Sequence, residues 1–323
     1  MGDSVRGHGL AFLVYKGTGT GTPTSFIDPR PGASVTAKSD RTAIEGHAAA
    51  YGQSIKPRTL KTRMFEMSIP SHLYYDGLGV LLNMALGTDD TTGPSGSDYT
   101  HTYGRALDPD VFAIECVYSD ELANSRMMTG ARCQSWTLDF PLNSEATIDL
   151  TMLGLAYNAE GTHTALSDRT DRTYVSTNDC TTLTLNSVNL LTTGTVQGLS
   201  ITGENSLATR YTFGSASPNA IMGTSQGTVS ATLTVHVDST TYNDYQTLHE
   251  AGTEVTLVAA FTAATGETFT VTLNGAIVGE PAEPVASDTG PIELTINLLC
   301  RATASTPAIT IVVVNEKTTA VVN

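Results

Sequence analysis

Residues 98–117, "DYTHTYGRALDPDVFAIECV", bring His101, Asp108, Asp110, Glu115 and Cys116 within twenty positions, and these are residue types that ligate metals and move protons. A mononuclear metal site needs three or four such ligands aimed at one centre. Alternation along a strand separates them instead. In "DYTHTYG" Tyr99, His101 and Tyr103 share one side, which leaves His101 as the donor on its face. "LDPDV" carries Asp and Pro in turn positions, and in "VFAIECV" Phe112, Ile114 and Cys116 stand opposite Val111, Ala113 and Glu115. The stretch reads as two strands and a turn rather than a reaction centre.

Other candidate chemistry fares no better. "KGTGTGTPTS" has Thr22 where a dinucleotide fingerprint needs its last glycine, and no Lys-Ser/Thr pair or following helix supports a phosphate loop. There is no H-E-x-x-H and no G-x-S-x-G. The histidines (His8, His47, His72, His101, His163, His236 and His249) are scattered singly. Asp89 and Asp90 sit beside "TTGPSGS", a loop composition, and a single Trp argues against a sugar-binding cleft between paired carboxylates. The expectation is a non-enzymatic protein with no cofactor and no metal.

The net charge of -15 argues against a DNA-clamping or anionic-membrane surface, which would need clustered Lys and Arg. Charge is uneven: residues 1–172 hold 14 basic and 20 acidic residues, and residues 173–323 hold 3 and 12. Such asymmetry suits copies that meet through unlike surfaces. Cys116, Cys133, Cys180 and Cys300 form no C-x-x-C pair, so free buried thiols are expected. The N-terminal apolar run is too short for a secretory signal, Arg6 breaks the myristoylation pattern, and no apolar run of about 18 residues suggests a membrane span. A protein made in the cytosol is expected.

The elements that carry these residues are mostly strands. In "GTVSATLTVHVD" the residues Val229, Ala231, Leu233, Val235 and Val237 share one face and Ser230, Thr232, Thr234 and His236 the other; "QSWTLDF", "ATIDLTM", "TFTVTL" and "PIELTINLLC" follow the same rule. Two segments have helical spacing: "SHLYYDGLGVLLNMALG", ended by Gly87, and "STTYNDYQTLHEAG", capped by Ser239 or Thr240 and ended by Gly252. A strand near 61–69 precedes the first helix, with strands near 98–104, 110–118, 130–140 and 146–157 after it. A strand near 228–238 precedes the second, with strands near 253–262, 267–278, 290–301 and 308–315 after it. This order predicts a diverged duplication, with domains at 1–165 and 166–323. Between the first strand and the one near 61–69 lies a weakly periodic stretch, read as a long loop at about 28–62. From Arg30 to Arg63 it counts seven basic residues against Asp40 and Glu45, a cationic arm on an anionic protein.

The succession "SHLYYDGLGVLLNMALG", "DYTHTYGRALDPDVFAIECVYSD" and "RMMTGARCQSWTLDFPLNSEATIDLTMLGLA" resembles the major tail tube proteins of long-tailed, siphovirus-like bacteriophages. So does the run from "TTLTLNSVNL" through "GTVSATLTVHVDSTTYNDY" to "PIELTINLLCRA". The resemblance spans nearly the whole chain. It implies a mainly β fold, tandem β-sandwich or barrel domains each with a short flanking helix, polymerised into stacked rings. Inner sheets would form a continuous tube that conducts DNA into the host. A duplicated chain would need three copies for a pseudo-hexameric ring, with six copies as the alternative. Implied partners are copies of itself and other tail proteins (tape measure, tail tip, terminator), with DNA passing unbound and no membrane. The implied place is the virion, after assembly in the host cytoplasm.

Within that frame Arg41, Lys56, Arg58, Lys61 and Arg63 are the candidates for contacts between rings, and Asp139, Asp149, Glu254 and Glu293, on polar strand faces, are the candidates for lining the lumen. An acidic lining repels phosphates, whereas a basic one would bind them with counterion release. The competing readings are a secreted or surface β-sandwich binding module of adhesin or lectin type and, third, a β-rich hydrolase.

Overall fold

The computed structural model describes residues 10–17, 23, 25–27, 29–42, 45–46, 54–55, 59–96, 98–118, 125–159, 173–192, 196–236, 239–278, 293–303 and 306–315. In order the elements are β1 (Leu10–Lys16), β2 (Ser25–Ile27), β3 (Ser34–Thr42), β4 (Glu45–Gly46), β5 (Ser54–Ile55), β6 (Thr59–His72), α1 (Leu78–Leu86), β7 (Gly87–Ser95), β8 (Asp98–Arg105), β9 (Phe112–Tyr118), β10 (Arg126–Pro141), β11 (Thr147–Gly154) and β12 (Ala156–Ala159). They continue with β13 (Cys180–Leu185), β14 (Val188–Asn189), β15 (Val196–Glu204), β16 (Leu207–Tyr211), β17 (Pro218–Gly223), β18 (Thr228–His236), α2 (Ser239–Glu250), β19 (Glu254–Thr262), β20 (Thr268–Ile277), β21 (Glu293–Cys300) and β22 (Ile309–Asn315). The chain is mainly β, as the alternation of Val and Ile with Thr and Ser requires: branched side chains pack well on a pleated, half-buried surface.

Antiparallel pairing assembles three layers. One sheet runs β3-β6-β11-β10-β15-β18-β21 and ends on the last residues of β20. A second runs β2-β1-β9-β10-β12 and uses the first part of β10. A third runs β14-β13-β19-β20-β22-β8-β7 and uses the first part of β20. The long strands β10 and β20 therefore each bend from one layer into another. In β10 the register shifts between Met128 and Ala131 and again between Cys133 and Ser135, irregularities of the kind that bend a strand. Among the described residues no circuit of pairings closes on itself. The pairing order is the same in the two parts of the chain: β3-β6-β11-β10 matches β15-β18-β21-β20, and β1-β9-β10-β12 matches β13-β19-β20-β22.

The apolar faces of all three layers meet in one core, from Phe12 and Ile114 through Trp136 and Leu150 to Leu233, Phe261 and Ile311. Phe140 stacks on Phe261 at 5.0 Å between ring centroids and lies 6.2 Å from Phe269, joining the first part of the chain to the second.

Some expectations need correction. The stretch read as a loop at 28–62 contains β3, which pairs with β6 from Ser34↔Ser68 to Thr42↔Thr59, so much of it is a hairpin. Its alternation is faint because small residues and Thr, not large aliphatics, dominate "SVTAKSDRT". Helix α1 is present as expected, and all nine of its residues are buried. Its sequence, LGVLLNMAL, is apolar all round, as a helix enclosed on every side must be. Gly87 does end it, in the left-handed region at φ 92°, with its N–H donating to the Asn83 carbonyl. Finally, the pairing sets β9, not β8, against β19. The β7–β8 hairpin has no counterpart later in the chain among the described residues and extends the third sheet through β22. Helix α2 begins at Ser239, so this predicted cap residue is already helical, and Tyr245 is buried with Tyr242 and Leu248 packed beside it.

Candidate functional site

The opening cluster is dispersed. His101 is buried in β8, its Nε2 3.1 Å from Asn315 Oδ1 and its Nδ1 2.9 Å from Thr91 Oγ1; the Asn315 amide donates to the Tyr75 carbonyl. These bonds fasten β8 to the end of β22 and to the turn before α1. Glu115 is buried on the other face of β9 and accepts a 2.7 Å hydrogen bond from Tyr15 Oη. Asp108 pairs with Arg132, and Asp110 lies 3.0 Å from Lys16. Burial raises the Cys116 thiol to about 12. Among the described residues, no group of three or more His, Cys, Asp or Glu could hold a metal ion.

The solvent face of the β3-to-β21 sheet is polar. Cross-strand register sets Glu66 beside Thr36, Asp149 beside Thr137, Asp139 beside both Thr147 and Ser200, Glu204 beside Ser135 and Thr228, and Glu293 beside His236. Hydroxyls carpet the space between the acids. Thr202 Oγ1 and Ser230 Oγ are 2.8 Å apart, and Thr232 donates to Asn297 at 3.1 Å. Alternation produces this face directly: on β10, Trp136, Leu138 and Phe140 enter the core while Thr137 and Asp139 look out.

Of the four predicted lumen residues, the structure brings together Asp139, Asp149 and Glu293 on this face. Glu254 is not with them: it starts β19 in the third sheet, opposite Ala276. Asp149 is moreover paired with Arg30 at 2.7 Å, so its charge is largely compensated locally. Sequence reasoning missed Glu66 and Glu204. Both occupy outward positions between inward ones, Glu66 between Phe65 and Met67 and Glu204 after Gly203, and that alternation was the available signal.

The sheet has two unlike ends. At the end holding Glu204, Thr228 and Gly154, β6 runs on past β11, and the β16–β17 hairpin lies against the overhang: Arg63 N–H donates to the Ala216 carbonyl at 2.8 Å and Tyr211 Oη to the Arg63 carbonyl at 2.8 Å. Arg63 and Arg210 are exposed here. Of the other arm candidates, Arg41 lies in β3 and Lys61 in β6, while Lys56 and Arg58 fall outside the described residues. At the opposite end, where Pro141 meets Gly198, the charges are acidic. His72 Nδ1 lies 3.3 Å from Glu145, and His236 Nε2 3.2 Å from Glu293, matching His–Glu pairs at the ends of β6 and β18. Burial, then the nearby Asp179 and Glu267 carboxylates and the Cys180 thiol, push up the pKa of the Tyr75 hydroxyl there. An apolar cavity of about 120 Å³ opens at this end, lined by residues including Phe140, Leu142, Leu183, Leu191, Leu199 and Phe261.

The described residues thus form a mainly β subunit with a wide hydroxyl-and-carboxylate face and unlike ends. The chain matches the family model described as phage tail tube protein over residues 10–302, and it belongs to that family. No curated protein matches the chain. Family membership makes it a structural component of the phage virion that self-assembles into a tube and meets other tail proteins. No helix among the described residues is long and apolar enough to cross a membrane.

Proposed function

We propose that the chain is two tandem tail-tube-like domains, at 1–165 and 166–323, and that three copies form each ring of a stacked tube through which the genome passes into the host. The observation that carries this reading is the junction between β10 and β15. It joins two four-stranded units of the same pairing order into one eight-stranded sheet, with Trp136↔Gly203, Leu138↔Ile201 and Phe140↔Leu199 on the core side. By that order β3 corresponds to β15, and among the described residues β3 pairs only with β6. Its free edge is the counterpart of the edge that β15 gives to β10. The β20–β21 end of a second copy, the counterpart of β10 and β11, fits that edge, so the contact between copies repeats the contact within one. Pairing every edge strand also removes templates for aggregation.

Ring size follows from strand spacing. Three copies of the eight-stranded sheet at about 4.8 Å per strand, tilted near 40°, close at a backbone diameter of about 50 Å, wide enough for a DNA duplex; six copies would roughly double that. The polar face, with Glu66, Asp139, Asp149, Glu204 and Glu293, then lines the bore. Its carboxylates hold phosphates off the wall over a screening length of about 8 Å at physiological ionic strength. The basic arm from Arg41 to Arg63 reaches the next ring, while the tube ends meet the tape measure, tip and terminator proteins. Assembly takes place in the host cytoplasm.

The test is charge reversal on the face. Virions carrying Lys at Glu66, Asp139, Glu204 and Glu293 should assemble tails of normal length yet eject DNA slowly, whereas Glu254→Lys should leave ejection unchanged. Normal ejection by the quadruple variant contradicts the lumen assignment.

A further inference from the structure

Phe213 is fully exposed at the tip of the β16–β17 hairpin, close to the partly exposed Tyr211. An unpacked aromatic on a loose loop would mean little, but this tip is held. Ser215 N–H donates to the Thr212 carbonyl, the Ser215 side chain bridges to both the N–H and the carbonyl of Ser217, and the hairpin is tied to β6 through Arg63 and Tyr211. Leu207 and Ile221 anchor its base against Leu153 and Leu155. The ring is therefore presented at little further cost in conformational entropy.

The same chain carries a socket of suitable size at the other end of the same sheet. The 120 Å³ cavity is walled mainly by apolar side chains, together with Thr177 and Gln197, and Leu142 and Leu191 are partly exposed at its mouth. For comparison, an enclosed apolar cavity of about 150 Å³ accepts benzene; an open one of similar size takes a phenyl ring with its stem outside. The hairpin emerges where β15 ends and β18 begins, whereas the cavity lies where β15 begins and β10 ends. One molecule cannot fill its own socket across the length of the sheet, so the occupant is a second copy. Charge favours the same pairing, since Arg63 and Arg210 outnumber the exposed Glu204 on the hairpin's end, whereas Glu145, Asp179 and Glu267 are near the cavity's. A projection at one end that fits a recess at the other is a heterologous contact, which propagates instead of closing.

We infer that Phe213 of one copy seats in the Phe140–Leu191–Phe261 cavity of the copy stacked against it. The inference rests on the tube reading and names the contact that sets the stacking. Burying one phenyl ring per contact corresponds to roughly a 10- to 100-fold change in the subunit concentration needed for assembly. Phe213→Asp should raise that concentration at least tenfold and Phe213→Leu much less, with the thermal midpoint of the unassembled chain unchanged in both. In a Cys180→Ser background, Phe213→Cys combined with Leu191→Cys should give disulfide-linked ladders in assembled tubes, and either cysteine alone should not. Tubes that form at the native concentration with Asp at position 213, or without the cross-link in the double-cysteine chain, overturn this contact and leave the tube reading standing. A native chain that stays monomeric at every concentration overturns both.

Discussion

Gly203 gives the sharpest prediction about the junction on which the ring depends. It lies opposite Trp136 across β10 and β15, and a β-carbon there would fall on Cε2, Cζ2 and Nε1 of the indole. Trp136 is 2 % exposed, so its ring has nowhere to retreat without displacing core neighbours. Gly203→Val should gain up to about 1 kcal/mol from strand propensity and reduced chain entropy. Against that, three carbons forced into an occupied core site cost roughly 1–3 kcal/mol, and displacing the indole takes the upper part of that range, so the expected net loss is about 2 kcal/mol. Trp136 is the sole tryptophan, so its fluorescence during urea unfolding reports the junction itself. The decisive assay is a double-mutant cycle with Trp136→Leu, which removes the obstructing ring and, with it, the fluorophore, so all four chains are followed by far-ultraviolet circular dichroism. Gly203→Val should cost little in that background, a coupling above about 1 kcal/mol. Additivity within about 0.5 kcal/mol would refute the packing argument.

Further outcomes are expected. Deleting residues 43–58 should stop growth at single rings or free subunits, seen in negative-stain micrographs, and normal-length tubes would show that the arm does not bridge rings. Asn83 is buried in α1 with neither side-chain atom hydrogen-bonded, so Asn83→Leu should raise stability by about 1–2 kcal/mol in urea unfolding, and a loss would mean that its amide has a partner in solution. Burial raises Cys300 from 9.0 to about 11, Cys116 from 9.0 to about 12 and Tyr245 from 10.0 to about 12. The folded chain therefore holds these protons where the unfolded chain loses them. Their stabilising contribution is complete below pH 9 and falls as pH rises from 9 towards 12, which thermal midpoints measured in a reducing buffer should follow.

Much of this was legible in the sequence, for identifiable reasons. Wherever large apolar residues alternate with Ser and Thr, as in β10, β11, β18 and β21, the strand and its outward face could be read directly, and with them Asp139 and Glu293. Strand β3 was hidden because its inward positions are small. Glu254 was misgrouped because alternation tells which face of a strand a residue occupies, but not which sheet the strand joins; only the bends in β10 and β20 decide that. Neutralisation of Asp149 depends on Arg30, which is 119 positions away in the chain. The buried nature of α1 was implicit in LGVLLNMAL, whose apolar residues leave no polar stripe.

The central claim is that the eight-stranded sheet turns its polar face into a bore closed by three chains. Helical reconstruction of tubes assembled from the purified chain tests it most directly. The account predicts three copies per ring, the free edge of β3 against the β20–β21 end of its neighbour, and Glu66, Asp139, Glu204 and Glu293 pointing inward. Six copies per ring, or those four carboxylates on the outer surface, would contradict it.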